Sequence, residues 1–150
     1  MRSRDRWVRR TVKKVPVTAQ GRSASSTDSA TWCSYRDALR SRAGAGIGFV
    51  LNGDGIACLD LDHCLVDGKP AAWAQRILDR IPGTYVEVSP SGDGLHVFGL
   101  ATVGRGRRLR VDGGPVEVYD RGRYIAVTRE RFNGSPARLA DISEVIASLI

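Results

Sequence analysis

Residues 56–62 read Ile-Ala-Cys-Leu-Asp-Leu-Asp, preceded by Asn52-Gly-Asp-Gly55. This apolar run, bounded by glycines and ending in alternating Leu and Asp, predicts a buried strand. Side chains two apart on a strand share a face, with their Cα atoms roughly 6–7 Å apart. Asp60 and Asp62 therefore project together, while Leu59 and Leu61 turn into the core. Two carboxylates held that close repel unless a cation stands between them. An all-oxygen pair suits a hard divalent ion such as Mg²⁺ or Mn²⁺.

Outward from this strand, Asn52-Gly-Asp-Gly55 reads as a hairpin turn between Ile47–Leu51 and Ile56–Leu61. Thr31–Leu39 carries Trp32, Tyr35 and Leu39 at helical spacing, with Thr27 or Asp28 as cap. Pro70–Ile81 has proline in the first helical position and a Trp73/Ile77/Leu78/Ile81 stripe. Tyr85–Ser89 and Leu95–Leu100 are strands around Pro90–Gly94. Val116–Tyr119 and Tyr124–Thr128 flank a hairpin-length turn at Asp120–Gly122, and Asp141 caps a last helix to Ile150. The pattern is α+β: a mostly antiparallel sheet with helices inserted between hairpins. At 150 residues the chain is expected to form a single domain, 1–150.

Composition narrows the class. The hydrophobic content of 42% and charged content of 26% are those of an ordinary globular protein. No apolar run approaches the ~18–20 residues of a membrane span, and no apolar segment follows the basic start; a cytoplasmic protein without membrane contact is expected. Cys33, Cys58 and Cys64 make an odd count without Cys-x-x-Cys spacing, which excludes a disulfide framework and a standard zinc site. The net charge is +7, with basic residues gathered in Arg2–Lys14 and in Arg105-Gly-Arg-Arg-Leu-Arg110. An acidic pocket framed by positive potential points to a polyanionic partner.

Further candidates lie downstream. In Ser91-Gly-Asp-Gly-Leu-His96 the glycines let backbone amides approach an anion, and the Ser91 hydroxyl can donate to a phosphate oxygen. His96 follows the loop and is placed to bind or position a triphosphate. Glu117 faces away from Val116 and Val118, and Glu87 stands in the same relation to Val86 and Val88; spacing leaves either as the third acid. Arg123 is a phosphate-binding candidate, because an arginine fork matches phosphate oxygens.

Taken in order, Leu59-Asp-Leu-Asp-His-Cys64, Ser91-Gly-Asp-Gly-Leu-His96, Val116-Glu-Val-Tyr-Asp120 and Gly122-Arg-Tyr-Ile-Ala-Val-Thr128 resemble the bifunctional primase–polymerase domains of the archaeo-eukaryotic primase superfamily, in the branch found in phages and plasmids. Lys14-Val-Pro16, Ala24–Asp28, Thr31-Trp32 and Ala38-Leu39 extend the likeness, so it runs from about residue 7 to residue 128, leaving 129–150 as a C-terminal segment and helix. The resemblance implies an RRM-like antiparallel sheet joined to an N-terminal α/β unit, with the active site in the cleft between them. It selects Glu117 over Glu87, making Asp60, Asp62 and Glu117 the catalytic ligands of two Mg²⁺ or Mn²⁺ ions. Ser91, Gly92, Gly94, His96 and Arg123 become nucleotide-binding residues, and Lys14, Arg105, Arg107, Arg108 and Arg110 DNA-binding ones. The implied activity is template-directed nucleotidyl transfer onto a 3′-hydroxyl, with single-stranded template, primer and dNTP or NTP as partners, in a bacterial host cell.

Larger members of this group continue into a helicase. These 150 residues contain no Gly-x-x-x-x-Gly-Lys-Ser/Thr loop, and the expected helicase partner is either a further domain or a protein in trans. Competing readings are a non-catalytic nucleotide- or single-stranded-DNA-binding module of the same fold and a metal-dependent nuclease, with an Asp-x-Asp glycosyltransferase more distant.

Overall fold

In a computed structural model describing residues 1–150, the strands are β1 (Trp7–Arg10), β2 (Pro16–Val17), β3 (Gly46–Asn52), β4 (Ile56–Leu61), β5 (Leu65–Val66), β6 (Lys69–Pro70), β7 (Val86–Val88), β8 (Leu95–Leu100), β9 (Arg107–Val111), β10 (Gly114–Tyr119) and β11 (Arg121–Val127). The helices are α1 (Tyr35–Arg40), α2 (Ala72–Leu78) and α3 (Ser143–Leu149). The fold is α+β, as the sequence pattern implies. The chain divides into two compact units: Met1–Asn52 with Gly122–Thr128, and Gly53–Arg121 with Arg129–Ile150. No helix is long and apolar enough to cross a membrane.

The first unit holds a four-stranded sheet in the order β11-β3-β1-β2. Its core gathers around Trp7, whose ring lies 5.1 Å from Phe49 and 4.8 Å from Tyr35, centroid to centroid. The expected helix over Thr31–Leu39 starts later than its spacing suggests. Asp28 caps a 3-10 turn, Ser29–Thr31, and the Trp32 indole N–H donates to the Ser25 carbonyl at 2.7 Å. Cys33 then bridges to Trp7 in extended conformation, so α1 begins only after Ser34, whose hydroxyl caps it.

The second unit is built on a five-stranded sheet, order β7-β8-β4-β10-β9, in which every pairing is antiparallel. β4 is its middle strand, and that position explains its apolar run: Ile56, Ala57, Cys58, Leu59 and Leu61 are all buried. Helices α2 and α3 add Ala74, Ile77, Val145 and Ile146 to the core formed by Leu59, Leu61, Val97, Val116 and Val118. The basic run 105–110 contains a strand that charge obscures. In β9, Leu109 and Val111 are half-buried against this core, while Arg108 and Arg110, which alternate with them, are exposed.

Two hairpin expectations are corrected. The expected turns Asn52–Gly55 and Asp120–Gly122 shrink to Gly53–Gly55 between β3 and β4 and to Asp120 between β10 and β11, and each pair separates into different sheets. Turn chemistry reverses or redirects the chain without choosing the strand it will pair with. At both junctions the chain is anchored by Asp120, which is buried and accepts the N–H groups of Val103 and Gly104 at 2.8 and 3.2 Å. The Gly53 N–H donates to the Asp120 carbonyl, 2.8 Å away. The helix expected over Pro70–Ile81 is also shorter: Lys69–Pro70 pairs with Leu65–Val66, and α2 starts after Ala71. Asp141 lies just outside α3, its carboxylate accepting the Ser143 N–H at 2.8 Å.

Tight packing beneath the sheet sets a stability prediction. A Cβ added at Gly99 would stand 2.7–2.8 Å from three side-chain carbons of fully buried Ile142. Gly99→Ala is expected to cost about 1–3 kcal/mol through overpacking, read as a lower midpoint in chemical denaturation with an unchanged slope.

Candidate active site

Register across the five-stranded sheet builds the site. Glu87 of β7 lies opposite His96 of β8, His96 opposite Asp60 of β4, Asp60 opposite Glu117 of β10, and Glu117 opposite Arg108 of β9. Directly paired antiparallel residues share a face. One transverse row therefore reads Glu87–His96–Asp60–Glu117–Arg108, on the face opposite Leu59, Leu61, Val97, Val116 and Val118. Asp62, two residues beyond Asp60, extends the same face where β4 ends.

Asp60, Asp62 and Glu117 each present a carboxylate oxygen within 4.8 Å of the others, and all three are half-buried. At that separation each pair of charges repels by on the order of 3 kcal/mol at the effective dielectric of a protein surface. The donor set is all oxygen, partly open to solvent and mutually repelling, and so fits a hard divalent cation. Arg108 Nε meets Glu117 Oε1 at 3.0 Å, and the Tyr119 hydroxyl donates to Glu117 Oε2 at 3.1 Å. The Arg108 side chain is 73% exposed, so this ion pair contributes little and leaves Glu117 easy to recruit.

His96 is buried beside the triad, with Nε2 3.8 Å from Asp60 Oδ1. Its other ring nitrogen, Nδ1, is 3.1 Å from Glu87 Oε1. Glu87, which spacing alone leaves level with Glu117, is thus fully buried behind the histidine rather than among the three clustered carboxylates. Its placement follows from the β7–β8 register, which a single sequence shows only once the turn between the strands is resolved.

The loop ahead of His96 is a closed turn: the Ser89 N–H donates to the Gly94 carbonyl, and the Gly92 N–H to the Ser89 carbonyl, both at 2.9 Å. Gly92 sits at φ +82°, which a side chain would strain, and a Cβ on Gly94 would stand 2.9 Å from Ser89 Oγ and 3.0 Å from the Leu61 carbonyl. Ser91 is exposed, and its hydroxyl donates to Asp93 Oδ1 at 2.6 Å, within the loop itself. Asp93 Oδ2 in turn lies 2.7 Å from His63 Nδ1, a pair that nothing in the sequence spacing marks.

The structure thus brings Asp60, Asp62, Glu117 and His96 together, with Ser91, Gly92 and Gly94 in the turn that precedes His96. Arg107, Arg108 and Arg110 stand exposed on β9, and Arg105 just before it. Lys14 and Arg123 belong to the first unit, where both are exposed. The Tyr124 hydroxyl donates to the Lys14 carbonyl. The cysteines are free thiols. Burial pushes the Cys64 thiol up to about 11, and burial followed by the charges of Asp60 and Glu87 raises Cys58 well above the ordinary range. Both are accordingly inert rather than nucleophilic.

The His63–Asp93 pair has a pH signature. The hydrogen bond and charge of Asp93 raise His63 above its ordinary value, while hydrogen bonds from Ser91 and His63 hold Asp93 below its own. The histidine's share of the pairing is complete below its unfolded pKa and is lost as pH rises through the raised one. The carboxylate's share is present above its unfolded pKa and is lost as pH falls through the depressed one. In the metal-free protein, NMR titration should place the His63 midpoint above about 6.5, and Asp93→Asn should bring it back down.

The family described as "Bifunctional DNA primase/polymerase, N-terminal" matches residues 9–149. The chain is also 38% identical, over 154 aligned residues and 96% of its length, to the DNA primase-polymerase of Nitratiruptor phage NrS-1. It spans 21% of that protein's length.

Proposed function

Because the chain belongs to the bifunctional DNA primase/polymerase family, we propose that it is a template-directed nucleotidyltransferase that joins nucleotides to a primer 3′-hydroxyl. The observation that carries this reading is the cluster of Asp60, Asp62 and Glu117 oxygens within 4.8 Å, on the same sheet face as His96.

Asp60, Asp62 and Glu117 would hold two Mg²⁺ or Mn²⁺ ions, which when bound supply Lewis-acid activation of the 3′-hydroxyl and charge stabilisation for departing pyrophosphate. No side chain acts as nucleophile. What the protein contributes is position and fixed charge. His96 presents Nε2 beside the triad, on the side where the triphosphate of an incoming nucleotide is to lie. The turn containing Ser91, Gly92 and Gly94 offers backbone and hydroxyl donors to the same phosphates. Arg123, in the first unit, is proposed by itself as a phosphate-binding residue, because its guanidinium fork matches phosphate oxygens.

Arg105, Arg107, Arg108 and Arg110, together with Lys14, would hold template and primer through their phosphates. That binding is largely independent of sequence and weakens with salt. Unwinding of duplex template is assigned to a helicase acting with this domain, in the cytoplasm of a host cell.

The test is extension of a labelled primer on a single-stranded template with dNTPs and Mg²⁺ or Mn²⁺. The wild-type chain should extend it, and chelation should stop it. Asp60→Ala and Asp62→Ala should each reduce the rate about 100-fold or more, since metal stabilisation is worth several kcal/mol. Thermal stability of both variants is followed in parallel. A folded wild type that binds dNTP with Mn²⁺ yet never extends a primer would overturn the reading in favour of a binding module.

A further inference from the structure

Glu87 is a fully buried carboxylate in a chain whose other clustered acids reach solvent. A buried charge is costly unless hydrogen bonds compensate it. Here donors converge on it from separate segments. The Tyr85 hydroxyl donates to Oε2 at 2.8 Å, and the Arg129 backbone N–H donates to the same oxygen at 3.0 Å. The other oxygen, Oε1, is left facing His96 Nδ1 at 3.1 Å. The His96 ring is further fixed by an edge contact with Phe98, 6.2 Å between centroids at 85°. Its far nitrogen, Nε2, is then directed at Asp60.

We propose that Glu87 is a positioning residue for His96, accepting Nδ1–H so that the ring is held in one tautomer and one orientation with Nε2 turned to the triad. The role rests on the polymerase reading, in which Nε2 faces the incoming nucleotide; carrying no proton in this tautomer, it accepts a hydrogen bond from a nucleotide hydroxyl, and a proton moved onto Nε2 removes that acceptor. A histidine that binds through one nitrogen takes its orientation from the hydrogen bond made by the other. With Oε2 committed to Tyr85 and Arg129, both donors, only a carboxylate can also accept from Nδ1. A glutamine at this position must fail on one side. With its oxygen toward Tyr85 and Arg129, its NH₂ faces Nδ1, which must then become an acceptor and move the ring proton to Nε2. Turned the other way, its NH₂ meets the Arg129 backbone N–H, which can only donate.

The experiment has two arms. The first is nitrogen-15 NMR of the metal-free protein at a pH where imidazole is neutral; with only two histidines, His63 and His96, assignment is direct. The wild type should show His96 protonated on Nδ1, and Glu87→Gln should shift the proton to Nε2. A wild-type ring protonated on Nε2, or the same tautomer in a folded Glu87→Gln protein, overturns the proposal.

The second arm is a double-mutant cycle on primer extension. Glu87→Gln should raise KM for dNTP about tenfold, the lower end of what loss of a residue supporting a ligand costs, with a smaller change in kcat. In a His96→Ala background the same substitution should change KM no further. Equal effects in both backgrounds would mean that Glu87 acts through sheet stability alone, and would sink the assignment. If the wild type does not extend primers, the polymerase reading fails, while the NMR arm still decides whether Glu87 sets the His96 ring.

Discussion

The repulsion among Asp60, Asp62 and Glu117 is the constraint around which the second unit is organised. Three carboxylates within 4.8 Å of one another oppose folding, and elementary electrostatics would scatter them. They stay together because each is carried on backbone that other forces fix. Asp60 is held by β4, whose neighbours Leu59 and Leu61 are fully buried, and Glu117 by β10 between fully buried Val116 and Val118. The hydrophobic face of the sheet thus supplies the energy that concentrates charge on the other face. Burial of one such apolar side chain contributes about 1.5–3 kcal/mol, comparable to one of the repulsions it must outweigh.

Charge along the transverse row is graded rather than uniform. Glu87 at one end is sealed from water and saturated with donors, whereas Arg108 at the other is exposed and loosely paired. Rigid histidine placement and easily released Glu117 are therefore products of the same register, differing only in distance from the covered edge of the sheet. The metal site proposed for this face would need both properties: ligands free to be recruited, and a partner group that does not move.

The legible part of the sequence was the part that depends on local period. Leu59-Asp-Leu-Asp62 declared its two faces because strand side chains alternate, and Trp73, Ile77 and Leu78 marked α2 by helical spacing. What spacing could not supply was partnership. Asn52–Gly55 and Asp120–Gly122 carry good turn chemistry, yet the strands they join go to different sheets, since pairing is decided by burial far along the chain. Glu87 and Glu117 have the same Val-Glu-Val surroundings; only their neighbours on the next strand, His96 for one and Asp60 for the other, separate a supporting carboxylate from a clustered one. β9 was hidden because exposed arginines alternate with Leu109 and Val111, and a run of positive charge masks a half-buried strand.

The pairing of β11 with β3 also bears on the order in which the molecule assembles. β3 ends at Asn52, and its partner strand arrives only with Arg121–Val127, after the whole of Gly53–Asp120 has been synthesised. A ribosome emitting this chain exposes β3 with one edge bare while the five-stranded sheet is still being made. The two units thus cannot fold in simple N-to-C succession, and loop-closure entropy across that separation slows the last pairing. The apolar β3, with Phe49, Val50 and Leu51 all fully buried in the finished protein, thus waits with one edge unpaired until β11 has emerged.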